Sequence, residues 1–390
     1  IRREVLLVEG DAFNSSKLRR TRQRLRNLGF FERVGVEKKA GSARDKTIVD
    51  LSVKESSTGE ISFGAGFSSA SGVLGDASIR ERNLLGRGQD LKLALKIGER
   101  QQQLDLSFTE PYFLDKNLSV GFDIFRTESD LQSESSHDRK TTGFALRGGY
   151  RITERLSQIF RYSLREDEIT NVASDASLAI KEQKGEFITS SIGQTLFYDK
   201  RDSGSKPTDG YSVELKNTVA GLGGDTEYLR NELSGDAFYK IYDRWIVNLG
   251  AGIGYIFGLG EDVRINDRFF LGGRTLRGFE NSGVGPRDTV SGDSIGGNWF
   301  YRTTAALTFP LGLPNEFGVR GRVFSDAGSL GENDSNLGSL TDTGSIRMSV
   351  GTGILWDSPM GPINIDFAQA LLKEDFDETE LVRFSFGAKF

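Results

Sequence analysis

Apolar and polar residues alternate with a period of two from Glu60 to the end of the chain. In segments 61–68, 91–98, 245–253 and 382–390, for example, apolar side chains occupy every second position. Such alternation predicts β-strands with one apolar face and one polar face. Counting these runs gives about sixteen strands, each near the nine to eleven residues that cross a bilayer at a tilt.

The connections between these runs differ in length and fall into two sets. Short ones are expected near 83–88, 151–154, 199–210, 242–244 and 358–361. Longer polar ones are expected near 127–140, 166–185, 258–297 and 328–345. Short turns at one end and long loops at the other are typical of outer-membrane barrels, whereas a soluble sandwich has no reason for this asymmetry. The pattern predicts an all-β transmembrane barrel of about 16 antiparallel strands.

The first part of the chain follows a different period. Leucines at near-helical spacing predict one helix, which Ser15 or Ser16 can cap and which Gly29 ends. Two short strands are expected around 31–36 and 47–53. One helix and two strands are few for an independent fold, so we expect further sequence upstream.

Composition agrees with a barrel and excludes several other classes. The 390 residues have a mean hydropathy of −0.37, and no run of about 18 uncharged apolar residues predicts a membrane-spanning helix. The 48 glycines and 27 phenylalanines fit many turns, small inward positions and an apolar outer surface. A net charge of −5 argues against a nucleic-acid partner, and the absence of cysteine excludes disulfides and thiolate metal sites. The chain opens without a signal peptide, so we expect a mature or truncated form.

Ordinary catalysis finds no support in the residue pattern. His137, the only histidine, lies in a polar stretch and is predicted to be an exposed loop residue. Glycines 250, 252 and 254 fall inside a strand with no helix after it, so small lumen-facing positions explain them better than a phosphate loop does. Two acidic pairs lack metal-binding spacing: Glu166/Asp167 and Asp326/Asp342. We expect no enzyme activity, no metal and no cofactor.

The longest predicted loop contains a compact glycine-rich segment. Residues 269–279 read FFLGGRTLRGF, in which Gly272 and Gly273 favour a tight hairpin rather than a free linker. The next hairpin carries FSDAG at 324–328, and the strand alternation turns Asp326 toward the lumen. An inward carboxylate needs a partner, and a loop arginine could supply one at roughly 1.5–3 kcal/mol.

These residues carry a family resemblance. Leu276, Arg277, Gly278 and Phe279 resemble the VRGF motif in the sixth loop of the outer-membrane-protein-85 superfamily, which includes insertases, two-partner-secretion transporters and organelle import barrels. Phe324, Asp326 and Gly328 resemble the motif of its thirteenth barrel strand, which holds the loop arginine. Residues 346–369 are similar to the insertase members of this superfamily, and 27–34 and 53–59 to the last polypeptide-transport-associated (POTRA) domain.

The resemblance covers the whole chain and implies its organisation. Residues 1–56 are expected to be a partial last POTRA domain that lacks the first strand and part of the first helix. Residues 57–390 are expected to form the barrel. In the family, a glutamate on the twelfth barrel strand also supports the loop arginine. The register counted from Gly296 places Ala306 there, so we expect Asp326 to hold the loop alone.

The resemblance also implies a function and its partners. The chain is expected to fold and insert β-barrel proteins into the bacterial outer membrane, with the POTRA fragment in the periplasm. Implied partners are unfolded outer-membrane protein clients, accessory outer-membrane lipoproteins, periplasmic chaperones and the lipid bilayer. Clients would pair with a lateral seam between the first and last barrel strands. The predicted seam residues are Ile61, Phe63, Gly64, Gly66, Phe384, Phe386 and Phe390.

Two other functions remain open at this stage. A two-partner-secretion transporter shares both motifs but exports an unfolded polypeptide through its lumen. A passive porin uses the lumen as a channel and has no need of the Arg277 and Asp326 motifs or of a preceding POTRA fragment.

Overall fold

The computed structural model describes residues 1–43, 46–334 and 339–389. Compact packing divides them into two units. One unit is Ile1–Ile61 with Ile79–Leu91, and the other is Ser62–Ser78 with Lys92–Phe390. Across the described ranges, no helix combines the length and the apolar character needed to cross a membrane.

The N-terminal segment contains one helix packed on a hairpin. Its elements are a 3-10 turn Arg2–Glu4, helix α1 Ser15–Asn27, and strands β1 Phe31–Ala40 and β2 Thr47–Glu55. Leu25 of α1 and Val34 of β1 are buried, which is why the leucine spacing predicted the helix. The predicted serine cap is wrong, because the side chain of Asn14 accepts the bonds from the first free backbone N–H groups. Gly29 follows the helix with φ +70°, as the predicted stop requires.

Sixteen antiparallel strands close into a barrel, which confirms the predicted fold class. Two further short strands, β14 Arg287–Asp288 and β17 Leu340–Thr341, pair with each other outside the barrel wall. The barrel strands are β3 Gly59–Ser68, β4 Gly72–Leu84, β5 Gln89–Gly98, β6 Gln101–Glu110, β7 Ser119–Asp130, β8 Asp138–Arg151, β9 Leu156–Thr170, β10 Gly185–Asp199, β11 Gly210–Gly224, β12 Tyr228–Tyr242, β13 Trp245–Gly258, β15 Trp299–Pro310, β16 Val319–Gly331, β18 Arg347–Ser358, β19 Gly361–Leu372 and β20 Val382–Lys389.

The strand alternation separates an outer apolar face from the lumen. Ile253 on β13 is 55% exposed, as a lipid-facing side chain is in the absence of lipid. Its neighbour Gly254 faces inward, where an added Cβ would come within 2.4 Å of the Phe300 ring and 2.9 Å of the Phe269 ring. The structure therefore confirms that Gly254 occupies a lumen-facing position where only a small residue fits.

Several loops are shorter than the alternation predicted, because some strands continue past their apolar part. Strand β9 runs to Thr170, so the acidic residues at 166–168 belong to a strand and not to a loop. Short helices α2 Gln132–Ser135 and α3 Leu178–Lys181 lie in the two connections that follow β7 and β9. The longest connection is 259–298, close to the predicted range, and contains a 3-10 turn at Ile265–Asp267. Further 3-10 turns, at Phe113–Asp115 and Asn315–Phe317, lie in connections on the opposite end of the barrel.

The first and last strands close the barrel over a short register. Among the described residues, β20 pairs with β3 only from Ser385 opposite Ser68 to Lys389 opposite Gly64. An ordinary neighbouring pair, β9 with β10, stays in register along almost the whole of both strands. The number of ladder hydrogen bonds scales with the paired length, so this junction is held by fewer of them.

Candidate functional site: loop six and the lateral seam

Residues 259–298, called loop six below, fold back against the inner wall of the barrel. Within this loop Leu276 and Phe279 are fully buried. They join an apolar cluster with side chains of the barrel strands, so the loop has a core of its own. The cluster consists of Ala220, Tyr228, Ile256, Val263, Phe269, Leu271, Leu276, Phe279, Val284 and Leu330.

Glycines make the tight turn of loop six possible. Gly272 has φ +132°, and a Cβ there would lie 1.9 Å from the carbonyl oxygen of Glu280. The backbone N–H of Gly273 donates to the carbonyl of Phe279 at 2.9 Å and closes the turn. Gly278 has φ +89°, and its Cβ would meet the Cβ of Ser349 at 3.0 Å. The predicted hairpin therefore needs glycine at these positions for backbone conformation and for close approach.

Arg277 and Asp326 form the pair that the sequence predicted. The guanidinium donates to both carboxylate oxygens, from Nε to Oδ2 and from Nη2 to Oδ1, each at 2.7 Å. The backbone N–H of Arg277 donates to Oδ2 as well, at 3.1 Å. The side chains are 11% and 2% exposed. This two-pronged geometry fixes the orientation of the loop as well as its position.

Thr304 on the neighbouring strand assists this pair, so the expectation that Asp326 holds the loop alone is wrong. Thr304 lies opposite Asp326 in the ladder, whereas Ala306 lies opposite Phe324. The Thr304 hydroxyl accepts from Nη2 of Arg277 at 3.0 Å and donates to Asp326. Asp326 is therefore assisted by the Thr304 hydroxyl, which bonds to both members of the ion pair.

The other residues of the strand motif complete the seat of the arginine. The Arg277 guanidinium lies 3.5 Å from the centre of the Phe324 ring, a cation–π contact with a buried ring. Gly351 leaves room for that ring, since a Cβ there would come within 2.3 Å of it. At Gly328 an added Cβ would meet the carbonyl oxygen of Tyr301 at 2.7 Å, so the strand pairing requires glycine.

A second ionic cluster, which no sequence motif indicated, holds the start of loop six. The guanidinium of Arg165 bonds to Asp267 of the loop and to Asp167 at 2.6 Å. Arg139 reaches both Asp167, at 2.8 Å, and the carbonyl oxygen of Asn266, at 3.1 Å. Arg139, Asp167 and Asp267 lie far apart along the chain, so no local pattern could reveal the cluster. Among the residues that the structure describes, no group of acidic or histidine side chains is arranged to hold a metal ion.

His137 is buried rather than exposed, which corrects the sequence prediction. Its Nδ1 lies 2.7 Å from the carbonyl oxygen of Ser135, and its ring is 1% exposed. Burial lowers the pKa of the imidazole from its usual 6.5. The same segment bonds to loop six, where the Ser135 hydroxyl donates to the carbonyl of Ser294 at 2.8 Å. The histidine lies in a polar stretch of the sequence, but the fold buries its ring.

The structure brings together part of the predicted lateral seam. Phe386 lies opposite Phe67, and a Cβ on Gly66 would meet the carbonyl oxygen of Phe386 at 2.7 Å. The rings of Phe67 and Phe384 lie 6.0 Å apart.

The remaining predicted seam residues have different positions. Gly64 lies opposite Lys389, the last described residue of β20. Ile61 and Phe63 precede the paired part of β3 and are exposed. Phe390 lies outside the described residues.

Solved structures share this architecture. The crystal structure of BamA from Haemophilus ducreyi lacking POTRA domains 1–3 superimposes with a TM-score of 0.89 at 26% identity, covering 100% of this chain and 81% of that chain. CdiB from Acinetobacter baumannii superimposes with a TM-score of 0.62 at 13% identity, covering 99% of this chain and 70% of that one. The second likeness concerns the fold alone.

Sequence comparisons agree with the structural ones. Outer membrane protein assembly factor BamA of Neorickettsia risticii is 32% identical over 392 residues, covering 100% of this chain and 53% of the relative. BamA of Neisseria meningitidis is 26% identical over 433 residues, covering 100% and 54%. The chain thus spans about half the length of these curated relatives. A POTRA model, described as a surface antigen variable number repeat, matches residues 1–56. Because the Omp85 superfamily domain model matches residues 83–390, the chain belongs to the Omp85 superfamily.

Proposed function

We propose that this chain is part of an outer-membrane protein assembly factor that folds and inserts β-barrel clients into the bacterial outer membrane. Residues 57–390 would form the inserting barrel, and residues 1–56 the end of the last POTRA domain, in the periplasm. The observation that carries the proposal is the Arg277–Asp326 pair, which holds a buried loop-six motif in a sixteen-stranded barrel. The assembly-factor relatives, similar over the whole of this chain, support the same reading.

The lateral seam is the proposed working surface. A closed barrel has no free strand edges, and separating β3 from β20 would create two. Because these strands are paired only from Ser385 to Lys389 among the described residues, separating them breaks fewer hydrogen bonds than separating a fully paired neighbour. The freed edge of β3 would pair with the last strand of a client and template its folding by β-augmentation. This step requires no catalytic residue, and we assign none.

The proposed partners follow from this mechanism. Unfolded outer-membrane proteins are the clients, periplasmic chaperones deliver them, and the bilayer receives them. Accessory outer-membrane lipoproteins of the assembly complex would dock on the periplasmic part. The short β20 would also thin the adjacent bilayer by mismatch and ease insertion.

The two alternative functions are less well supported. A passive porin needs an open lumen, but loop six carries buried residues and two ionic anchors against the inner wall. A two-partner-secretion transporter would share the fold, which is all that the likeness to CdiB carries at 13% identity. The assembly-factor relatives match over the whole of this chain, including its POTRA segment.

A reconstitution assay tests the proposal. Folding of a urea-denatured outer-membrane protein into liposomes is followed with and without the chain, and with its Arg277→Ala variant. We expect the chain to accelerate client folding and the variant to lose most of that acceleration. Because the chain spans about half of its relatives, the assay is repeated with the full-length protein. No acceleration from either form, together with steady ion conductance, would shift the assignment to a channel or secretion pore.

A further inference from the structure

We propose that residues 373–381, called the connector below, couple loop six to the lateral seam, with Arg347 and Asp377 as the positioning pair. The connector joins β19 to β20 and therefore leads directly into the last strand. The inference deepens the proposed function, since it names what sets the seam. Its physical content, a mechanical link between two parts of the barrel, can be tested without any client.

The connector lies along the loop-six motif and bonds to its backbone. The N–H of Glu280 donates to the carbonyl of Glu378 at 3.0 Å, and the N–H of Glu378 donates to the carbonyl of Gly283 at 2.9 Å. The N–H of Glu380 donates to the carbonyl of Gly278 at 3.1 Å. A β-bridge joins Phe279 to Thr379. Because these bonds join backbone atoms, they hold the connector against Gly278 and Phe279 independently of the connector's side chains.

A fully buried ion pair ties the connector to the barrel wall. Arg347 on β18 donates from Nε to Oδ2 of Asp377 at 2.9 Å and from Nη2 to Oδ1 at 3.2 Å. The two side chains are 1% and 0% exposed. Asp377 also accepts from the N–H of Glu374 at 2.8 Å, and Arg347 donates to the carbonyl of Ser345 at 2.8 Å. An ion pair so fully shielded from water adds little stability compared with apolar residues of the same size. It does, however, specify one position for the connector.

The far end of the connector contacts both sides of the seam. The Glu380 carboxylate bonds to Arg383 of β20 and accepts from the hydroxyl of Ser69 at 3.2 Å. Ser69 follows β3, and its N–H donates to the carbonyl of Phe384 at 3.1 Å. The N–H of Ala368 on β19 donates to the carbonyl of Leu381 at 2.9 Å. A shift of the connector would therefore reach the first strand and the last strand together.

This arrangement assigns a direction to the coupling. Arg277 fixes loop six on β16, loop six fixes the connector through backbone bonds, and the connector fixes Glu380 between Ser69 and Arg383. With Arg347 and Asp377 in place, the seam is held closed in the absence of a client. Without the pair, the connector can leave its position while the barrel wall stays folded.

Disulfide formation across the seam measures this coupling, because the natural chain has no cysteine. Ser68 and Ser385 lie opposite each other, at the separation of about 4.5–5.5 Å that antiparallel partners have and that a disulfide can span. The Ser68→Cys/Ser385→Cys chain is compared with the same chain carrying Asp377→Asn. We expect the rate of disulfide formation to fall at least threefold in the Asp377→Asn chain.

Two controls separate positioning from general damage. Asp123→Asn removes a half-buried carboxylate that pairs with Arg147 and Arg161 on other barrel strands, and the seam rate should then stay within experimental error. Arg347→Met/Asp377→Leu replaces the whole pair by apolar side chains and should restore thermal stability. If the pair positions the connector, the seam rate of this double variant stays low although the barrel is stable. An unchanged seam rate in the folded double variant, or in folded Asp377→Asn, would overturn the inference. Neither result depends on whether the chain inserts clients.

Discussion

Replacing Asp326 with alanine should release loop six from the barrel wall while leaving the wall folded. The carboxylate accepts bonds from the Arg277 backbone, from both arms of its guanidinium and from Thr304. Breaking a buried pair by removing one partner costs about 3–5 kcal/mol. Because the Arg277 side chain is 11% exposed, we expect a cost at the lower end of this range, about 3 kcal/mol. This corresponds to roughly a hundredfold change in the docking equilibrium of the loop, at about 1.4 kcal/mol per tenfold.

Amide hydrogen exchange read by mass spectrometry can follow that equilibrium directly. In peptides covering 271–284, exchange should become roughly a hundredfold faster in Asp326→Ala. The matched variant Asp326→Asn keeps the shape and neutral hydrogen bonds, so about half the cost and roughly a tenfold acceleration are expected. Peptides from the β1–β2 hairpin serve as the internal reference. Unchanged exchange in 271–284, or an equal acceleration throughout the barrel, would refute the assignment of this pair as the anchor of loop six.

Three further predictions concern the same loop. Thr304→Val should lose about 1–2 kcal/mol of docking free energy and accelerate loop-six exchange roughly tenfold, because two hydroxyl bonds disappear. Gly278→Ala should lower the unfolding temperature more than Gly260→Ala, because both have positive φ but only the first would also press on Ser349. Burial, and then the neighbouring carboxylates, raise the pKa of Glu280 above its usual 4.5. The contribution of the protonated Glu280 carboxyl to the free energy of unfolding is therefore fully present below pH 4.5. It is lost as the pH rises through the raised pKa. Glu280→Gln should consequently be slightly more stable than the natural chain at pH 7.5 and equal to it at pH 4, as measured by thermal unfolding at both pH values.

Much of the architecture was accessible from the period of the sequence. A strand that faces lipid on one side alternates apolar and polar residues, so segments 61–68 and 245–253 were recognisable as strands. The predicted count of about sixteen strands is confirmed. Strand ends were predicted less well, because backbone pairing continues into polar residues beyond the apolar part. Strand β9 shows this, since its ladder includes Asp167 and continues to Thr170, whereas a loop was predicted from 166 onward.

Contacts in the candidate site could be predicted where both residues belong to a known motif. Contacts between distant segments without a motif could not be predicted. Arg277 and Asp326 belong to recognisable motifs, and these motifs predict their contact. The role of Thr304 depended on the ladder register, which places its hydroxyl opposite Asp326. Asp377 has no local pattern that points to its arginine, since only the folded barrel brings β18 beside the connector.

The most direct test of the central claim combines the seam disulfide with client insertion. The Ser68→Cys/Ser385→Cys chain in liposomes is assayed oxidised and then reduced, beside a Ser163→Cys/Ser191→Cys chain whose register pair joins β9 and β10 away from the seam. The account predicts that oxidation abolishes the acceleration of client folding only in the seam pair, and that reduction restores it. Full acceleration by the oxidised seam pair would contradict insertion through the junction of the first and last strands.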